Sequence, residues 1–278
     1  MLSANRVNYT HYCLIHKLQE SNVYSANDII NYQPSKNHLN ERVILITGAG
    51  DGIGKIVAIA CAKAGATVIL AGRTEAKLEA VYKLIVAAEY AEPRIFAIDL
   101  EGATNDDYIT LAATIDEQFG RLDGLLHNAG ILGQRTPLSN YSSELWNKVM
   151  QVNLTAQFQM TQCLMAVLEK SADASVIFTT SGVGKVGRAF WGAYAVSKFA
   201  IEGMVQTWAS EVEDIGSVRI NAINPGATRT NMRAQAFPAE NPYDLAAVED
   251  IIPAYLYLLG PDSQDINGQS IEAQIRTP

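Results

Sequence analysis

A strand, a glycine-rich turn and a helix follow one another early in the chain, and this order restricts the fold more than any other feature. The run Arg42-Val-Ile-Leu-Ile-Thr47 is apolar and β-branched, which predicts a buried strand. The turn Gly48-Ala-Gly-Asp-Gly-Ile-Gly54 comes next, and residues 55–65 form an alanine-rich helical pattern that ends in glycine. Such a unit aims backbone N–H groups and the positive end of a helix at a phosphate group.

The glycines of this turn have separate predicted roles. Gly48 allows a tight turn, Gly52 lets a ligand approach the backbone, and Gly54 lets the helix pack closely on the strand. The spacing G-x-x-x-G-x-G differs from the G-x-G-x-x-G of other dinucleotide-binding folds. It also differs from a Walker phosphate loop, because no Gly-Lys-Ser/Thr follows. A glycine cluster alone is compatible with a plain turn, so the interpretation depends on the flanking strand and helix.

Strand and helix patterns alternate along the chain from residue 43 onward. The alternation predicts a single α/β domain of the Rossmann type, with a doubly wound seven-stranded parallel sheet and helices on both faces. In such sheets a ligand lies beyond the carboxyl ends of the strands, at the switch point. The predicted strands are 43–47, 67–71, 94–99, 124–127, 174–179, 218–224 and 270–273, and the predicted helices are 53–64, 75–88, 106–119, 142–170, 193–212 and 245–259.

Residues 1–38 fall outside this alternation. We predict that they form a flexible extension to a domain that covers residues 39–278. The extension contains His11, Cys13 and His16, which are residue types that bind metals. A structural metal site uses four ligands, so we interpret this cluster as incidental and expect no metal site in the chain.

The composition argues against several classes of function. The chain has 278 residues, 48% of them hydrophobic, which suits one sizeable core. Its formal net charge of −8 and its pI near 5.0 argue against nucleic acid and anionic membrane surfaces as partners. The longest apolar runs have the length of a strand, so no membrane-spanning helix is expected. Cys13, Cys61 and Cys163 suggest a reducing compartment rather than a disulfide framework, and we expect a cytoplasmic protein.

A tyrosine and a lysine one helical turn apart form a second informative pattern. Tyr194 and Lys198, in the run Tyr-Ala-Val-Ser-Lys, lie on the same face of a predicted helix. A nearby ammonium stabilises a phenolate, so we expect the pKa of Tyr194 to fall toward neutral pH. Such a phenol can exchange a proton with a reacting oxygen. Ser181 follows an apolar strand and can face the same pocket. The Tyr-x-x-x-Lys spacing also occurs on ordinary solvated helices, so it counts only together with the other motifs.

Seven short motifs, taken in order, resemble those of the short-chain dehydrogenase/reductase family. The resemblance covers residues 39–273. Within the family, residues 187–192 and 225–238 are similar to the YciK type of bacterial oxidoreductase. The seven motifs are Thr47-Gly-Ala-Gly-Asp-Gly-Ile-Gly54, Asp99-Leu100, Asn128-Ala-Gly130, Asn153, Ser181, Tyr194-Ala-Val-Ser-Lys198 and Asn224-Pro-Gly226.

The resemblance implies four catalytic residues. Tyr194 would exchange the proton on the substrate oxygen, and Ser181 would hydrogen-bond that oxygen. Lys198 would hold the nicotinamide ribose and keep the tyrosine acidic. Asn153 would hold a water that links Lys198 to solvent.

The resemblance also implies a nicotinamide dinucleotide along the carboxyl edge of the sheet. Asp99 would bind the adenine amino group, although a helix cap is an alternative role for this residue. Thr228 or Thr230 would meet the nicotinamide carboxamide. The expected cofactor-binding residues are Thr47, Gly48, Asp51, Gly52, Ile53, Gly54, Arg73, Asp99, Leu100, Asn128, Ala129, Gly130, Tyr194, Lys198, Pro225, Gly226, Thr228 and Thr230.

The charges at the end of the second predicted strand favour NADP(H) over NAD(H). Many NAD-binding folds place an acidic residue here for the ribose 2′-hydroxyl, whereas this chain has Gly72 followed by Arg73. Arg73 can pair with a 2′-phosphate. The acidic Asp51 in the glycine turn argues in the opposite direction, toward NAD(H). His127 closes a predicted strand, and we interpret it as a buried residue bonded to backbone groups rather than as a catalytic one.

Together these features predict an NADP(H)-dependent oxidoreductase acting on a carbonyl or alcohol group of a small molecule. A catalytically silent dinucleotide-binding sensor or scaffold on the same fold is the alternative. An epimerase or dehydratase is less favoured, because such relatives carry a larger carboxyl-terminal lobe. Phe190 and Trp191 would line the pocket or a subunit contact, and residues 231–244 would form a mobile lid. The resemblance implies a homotetramer or homodimer formed through residues 142–170 and 193–212.

Overall fold

The computed structural model describes residues 26–214 and 216–275. In this part of the chain, seven strands form one sheet in the order β3-β2-β1-β4-β5-β6-β7, and every neighbouring pair is parallel. The predicted fold class is therefore confirmed. The strands are β1 (Val43–Thr47), β2 (Thr67–Gly72), β3 (Arg94–Ala97), β4 (Gly124–His127), β5 (Ala174–Thr179), β6 (Val218–Asn224) and β7 (Ser270–Glu272).

Helices connect these strands and cover both faces of the sheet. The two faces have separate cores because successive strand residues point to opposite sides. Ile44 and Ile46 of β1 belong to one core, while Val43 and Leu45 belong to the other. The helices are α1 (Ala26–Ile30), α2 (Gly52–Lys63), α3 (Glu75–Ala87), α4 (Asn105–Phe119), α5 (Ser143–Met150), α6 (Ala156–Leu168), α7 (Gly192–Val212), α8 (Asn231–Ala236) and α9 (Val248–Leu259).

The sheet changes direction between its two central strands. From β1 the chain adds β2 and β3 on one side, whereas β4 starts the series β5, β6 and β7 on the other. The connections after β1 and β4 therefore leave the sheet on opposite faces, and a cleft opens between them at the carboxyl edge. This topology fixes where a site can form.

One predicted helix, 142–170, is divided in the structure. Helix α5 ends at Met150, a π-helical turn covers Gln151–Thr155, and α6 begins at Ala156. A π turn inserts one extra residue into the helical winding and is frequent at functional sites. Here it contains Asn153. Hydrophobic periodicity does not reveal this feature, because the helix axis continues through it.

After β6 the structure differs from the prediction only in where the last long helix begins, and the lid of residues 231–244 stays a prediction. Residues 231–244 contain α8, whose first turn is capped by Thr230, and a short 3₁₀ turn at Pro242–Asp244. Helix α9 begins at Val248 rather than at residue 245, because Leu245 and Ala247 have extended backbones.

Residues 26–38 pack against the domain. Ile29 is 4% exposed and belongs to the core that includes α9. The hydroxyl of Tyr32 donates to the carboxylate of Asp262 at 2.6 Å, and its ring lies 5.1 Å from that of Tyr257. These contacts differ from the expectation of a flexible segment up to residue 38. The division into an extension and a domain stays a prediction, and His11, Cys13 and His16 lie outside the described residues.

Candidate active site

The glycine turn between β1 and α2 has the geometry that its sequence predicts. Gly48 and Gly52 have φ angles of +68° and +52°, which other residues rarely adopt. A Cβ on Gly54 would lie 2.4 Å from the carbonyl oxygen of Gly48, so only glycine allows this close packing. A Cβ on Gly52 would meet only Thr230, at 3.8 Å. The space over Gly52 is therefore open to a ligand.

Thr47 ties the glycine turn to the segment after β4. Its Oγ1 accepts hydrogen bonds from the N–H groups of Asn128 and Ala129, both at 3.1 Å, and donates to the carbonyl of Leu126 at 3.3 Å. Thr47 is 1% exposed, so its hydroxyl serves the protein rather than a ligand. The side chain of Asn128 packs against the turn, 3.1 Å from where a Cβ on Gly48 would be.

At the outer end of the cleft, Arg73 follows β2 and is exposed. It makes no hydrogen bond or ion pair with the residues that the structure describes. Asp99 follows β3, is also exposed, and accepts from the N–H of Glu101 at 3.2 Å, while Leu100 is buried. The helix cap considered for Asp99 is supplied by Thr104 instead.

Lys77 neutralises the acidic residue of the glycine turn. The carboxylate of Asp51 accepts from the Nζ of Lys77 at 2.7 Å and from the N–H of Gly52 at 2.8 Å. The hydrogen bond with Lys77 is the largest of the causes that lower the pKa of Asp51. Sequence reasoning missed Lys77, since nothing in its position on α3 signals the contact. Because Lys77 balances its charge, the Asp51 carboxylate repels a phosphorylated ribose less than it would alone.

Tyr194 and Lys198 lie on one face of α7, and both are buried. The Nζ of Lys198 donates to the carbonyl of Thr179, at the end of β5, at 2.6 Å. It lies 5.7 Å from the centre of the Tyr194 ring. Burial lowers the pKa of Lys198 to about 8, with the nearby Glu202 acting in the opposite direction. Lys198 thus remains mostly protonated at neutral pH.

The pKa of Tyr194 differs from the expectation. Burial raises it, and a hydrogen bond with the hydroxyl of Ser181 acts in the opposite direction. The expected lowering by Lys198 is therefore not seen in the protein alone, where burial is the largest cause of the shift and raises the pKa of Tyr194. Ser181 follows β5, and the Gly182–Gly184 turn after it packs so closely on α7 that a Cβ on Gly184 would lie 2.8 Å from Lys198.

Asn153 clamps the loop after β4. It is fully buried, its Oδ1 accepts from the N–H of Ile131 at 2.8 Å, and its Nδ2 donates to the carbonyl of the same residue at 2.9 Å. The Nδ2 also donates to Ser197 at 3.2 Å. The side chain therefore holds the loop after β4 in place, and the water bound by Asn153 stays a prediction. A Cβ on Gly130 would be 3.3 Å from Asn153 and 4.0 Å from the Nζ of Lys198.

The two threonines after β6 have different surroundings. Thr228 is 3% exposed, and its hydroxyl donates to the carbonyl of Pro225 at 3.0 Å and accepts from Gln274 at 3.0 Å. Thr230 is half-buried, caps α8, and faces the open space over Gly52. Of the two, Thr230 is the one placed toward the cleft.

Gln274 holds the Pro225-Gly226 turn from the far end of the chain. Its Nε2 donates to the carbonyls of Pro225 at 2.7 Å and Ala227 at 3.2 Å. Gly226 has a φ of +71°, and a Cβ there would lie 2.9 Å from the Gln274 side chain. Sequence reasoning missed Gln274, because its role depends on a contact between distant parts of the chain.

His127 is a core residue. Its Nε2 lies 2.7 Å from the hydroxyl of Thr161, and its ring stacks on Phe178 with centres 4.7 Å apart. Burial lowers its pKa to about 3, so the ring is neutral. The partner is a side chain rather than the expected backbone group.

No group of three His, Cys, Asp or Glu residues within the described ranges is arranged to hold a metal.

Side chains from three separate segments line one side of Tyr194. The ring of Trp191 lies 5.7 Å from that of Tyr194 and 5.8 Å from that of Phe237, the residue directly after α8. Leu132 and Met232 pack against the same patch. Phe190, in contrast, is 53% exposed with a φ of +72°. Of the two aromatic residues singled out from the sequence, only Trp191 reaches the site.

Comparisons with known proteins agree with this arrangement. A family model described as short chain dehydrogenase matches residues 42–241. The Escherichia coli oxidoreductase YciK is 49% identical over 245 residues, covering 88% of this chain and 96% of that protein.

Two solved structures have the same fold. A short chain dehydrogenase from Escherichia coli CFT073, complexed with NADPH, matches with a TM-score of 0.85 and 49% identity, covering 87% of this chain and 100% of that one. One from Shigella flexneri, complexed with NADP, matches with a TM-score of 0.84 and 48% identity over the same shares. None of the helices in the described part of the chain is long and apolar enough to cross a membrane. From its motifs, its sheet topology and these matches, the chain belongs to the short-chain dehydrogenase/reductase family.

Proposed function

We propose that this protein is an NADP(H)-dependent oxidoreductase that converts a carbonyl group into an alcohol, or the reverse. The observation that carries the proposal is the convergence of Ser181, Tyr194 and Lys198 at the carboxyl end of β5, beside the cleft at the switch point. The half-buried hydroxyl of Ser181, the buried hydroxyl of Tyr194 and the buried ammonium of Lys198 form the set of groups that proton transfer to a substrate oxygen requires.

The cleft fits a dinucleotide with a phosphorylated ribose. The open space over Gly52 and the N-terminus of α2 suit a pyrophosphate. The unpaired guanidinium of Arg73 suits a 2′-phosphate, and the Lys77–Asp51 pair removes a repulsive charge. Relatives 48–49% identical to this chain have been crystallised with NADPH and NADP. The other proposed cofactor contacts are Gly48, Ile53, Asp99, Leu100, Asn128, Ala129, Gly130, Pro225, Gly226 and Thr230.

When bound, NADP(H) supplies the hydride or accepts it at C4 of the nicotinamide. The chain's own groups handle the proton. Ser181 donates a hydrogen bond to the substrate oxygen, and the Tyr194 hydroxyl gives that oxygen a proton during reduction or removes one during oxidation. Lys198 uses one donor on Thr179, which leaves two N–H groups for the ribose hydroxyls.

The charges and hydrogen bonds around Tyr194 determine how readily its hydroxyl ionises. Desolvation opposes ionisation of Tyr194 in the protein alone, so the site needs further positive charge or hydrogen bonds to form the phenolate. The protonated Lys198 supplies part of this. Asn153 acts by holding the loop at Ile131 in place beside the ammonium.

The direct test measures NADPH consumption with a panel of aldehydes and ketones, and NADP reduction with the matching alcohols. Tyr194→Phe should reduce turnover by a factor on the order of 10²–10⁴ while NADPH affinity stays within about twofold. Binding of NADPH without turnover on either panel would support the sensor or scaffold instead. Equal turnover by the wild type and Tyr194→Phe would refute the role of Tyr194.

We further propose a homodimer or homotetramer formed through α6 and α7. Apolar side chains on these helices face outward, with exposures of 42% for Phe158, 38% for Val196 and 44% for Phe199. Burying such residues against a second copy removes apolar surface from water. Light scattering at micromolar concentration tests this, and a monomer would contradict it. The free thiols of Cys61 and Cys163 are compatible with the predicted cytoplasmic location.

A further inference from the structure

Arg135 lies at the junction of the three segments that form the substrate side of the site. Its guanidinium carbon is 4.9 Å from the centre of the Trp191 ring and 4.8 Å from that of Phe237. Trp191 stands one helical turn before Tyr194 and contacts its ring. Trp191 therefore contacts both the guanidinium and the ring of the proposed proton donor.

The loop that carries Arg135 is held in place on both sides. Asn153 clamps Ile131, and Leu132 packs against the patch that includes Tyr194. The N–H of Gln134 donates to the hydroxyl of Tyr141 at 3.3 Å. Because the loop is held and the exposed guanidinium packs against the rings of Trp191 and Phe237, whose centres are 5.8 Å apart, Arg135 loses less conformational entropy on binding a ligand than an unsupported surface arginine would.

The charge of Arg135 is not balanced within the described residues. One Nη donates to the carbonyl of Ala236, and no carboxylate pairs with the group. Arg233, 3.9 Å from the centre of the same Phe237 ring, provides the contrast, because its Nε and Nη2 each donate to Glu240 at 2.6 Å. Two guanidinium groups thus stack on one ring, and only one has a counter-ion.

We propose that Arg135 binds a carboxylate on the substrate, so that this enzyme acts on carbonyl or hydroxyl compounds that carry a carboxylate beyond an apolar spacer. The inference rests on the proposed function. The planar guanidinium pairs with a carboxylate in a fixed geometry, and it keeps donors free after bonding Ala236. Trp191 and Phe237 provide the apolar walls for the spacer.

A purely structural role for Arg135, holding α8 over the site through Phe237, predicts a different outcome. Loss of that role would reduce kcat/KM for all substrates by the same factor, because α8 covers the site whatever the charge of the substrate. Arg233 offers a matched control, since it stacks on the same ring but is already paired with Glu240. Comparing Arg135→Met with Arg233→Met separates charge recognition from lid packing.

The experiment compares 4-carboxybenzaldehyde with its neutral methyl ester, methyl 4-formylbenzoate, as substrates with NADPH. For the wild type we expect kcat/KM to be at least tenfold higher for the acid. In Arg135→Met, kcat/KM for the acid should fall about tenfold or more because KM rises while kcat stays nearly unchanged. For the ester, kcat/KM should change less than about threefold. Arg233→Met should change both substrates by the same factor.

Two results would overturn the inference: a wild type without preference for the acid, or an Arg135→Met variant that loses equally on both. If neither aldehyde is reduced, calorimetry measures the binding of 4-(hydroxymethyl)benzoate to the NADP-loaded wild type and to Arg135→Met. Binding that is lost in Arg135→Met supports the inference, whereas absence of binding to the wild type refutes it. Failure of the proposed function is a separate result, namely no NADPH consumption across the whole carbonyl panel.

Discussion

The two halves of the cleft are built by different means. On the cofactor side, the backbone itself determines the shape, through Gly48, Gly52 and Gly54 and the start of α2. On the substrate side, the shape depends on side chains from the loop after β4, the start of α7 and the end of α8. A backbone-built surface tolerates few substitutions, whereas a surface built from side chains can change its ligand through single replacements.

The largest expected effect comes from Lys198→Met, at the border between the halves. Turnover should fall by a factor on the order of 10²–10⁴, because the phenol loses its nearby cation and the ribose loses its donors. Steady-state kinetics with NADPH and any accepted carbonyl compound measures this. A loss below tenfold would show that Lys198 is not part of the proton chemistry.

The same substitution should leave the fold equally or more stable, which sharpens the contrast between activity and stability. The folded state lowers the pKa of Lys198 from 10.5 to about 8, so the unfolded chain binds more protons between these values. The unfolding free energy therefore rises with pH from about 8 to about 10.5, by roughly 3 kcal/mol from this group. Urea unfolding at several pH values should show this rise in the wild type and not in Lys198→Met.

Gly54→Ala tests whether the cofactor half is truly built from backbone. The new Cβ would lie 2.4 Å from the Gly48 carbonyl oxygen, so the turn must move. We expect a stability loss of roughly 2–4 kcal/mol and NADPH affinity weakened at least about tenfold. Gly187→Ala is the control, since its Cβ meets nothing within 4 Å. Thermal unfolding and NADPH fluorescence measure both variants, and matching behaviour would contradict the prediction.

Arg73→Glu should change the choice of cofactor more than its overall binding. The ratio of NADPH affinity to NADH affinity should fall by about one to two powers of ten, because a carboxylate repels the 2′-phosphate and can accept from a ribose hydroxyl. Lys63→Glu makes the same change of charge at the exposed end of α2. If both variants reduce the ratio equally, the effect comes from net charge and not from Arg73.

The smallest expected effect is that of Gln274→Ala, which loosens the Pro225–Thr228 turn. Loss of its three hydrogen bonds should lower the unfolding free energy by about 1 kcal/mol and weaken NADPH binding a few-fold. Gln264→Ala, at an exposed position, is the control. An unchanged NADPH dissociation constant would show that the turn keeps its shape without Gln274.

The sequence was informative wherever a constraint is local. The strand of residues 43–47, the turn after it and the helical face shared by Tyr194 and Lys198 depend on neighbours a few residues apart, and the structure has them as expected. The expected acidity of Tyr194 was wrong for the protein alone, because spacing along a helix does not report how much solvent the phenol loses.

Contacts between distant segments gave no such signal. Lys77, Arg135 and Gln274 stand in unremarkable runs, and each gains its role from a partner far along the chain or on another element. Local hydrophobic periodicity also predicted one helix over 142–170, although the structure inserts a π turn at Gln151–Thr155. A single sequence carries the pattern of each element, but not the register in which distant side chains meet.

The π turn at Gln151–Thr155 has an evolutionary consequence. Because the wide turn absorbs one extra residue, removing a residue there would restore regular winding while α5 and α6 keep their buried faces. The turn that carries Asn153 would then be lost, and with it the position from which this side chain bonds both backbone groups of Ile131. Point substitutions cannot make this change gradually, so descendants of this gene should keep the residue count between Ser143 and Leu168 even where the residue identities diverge.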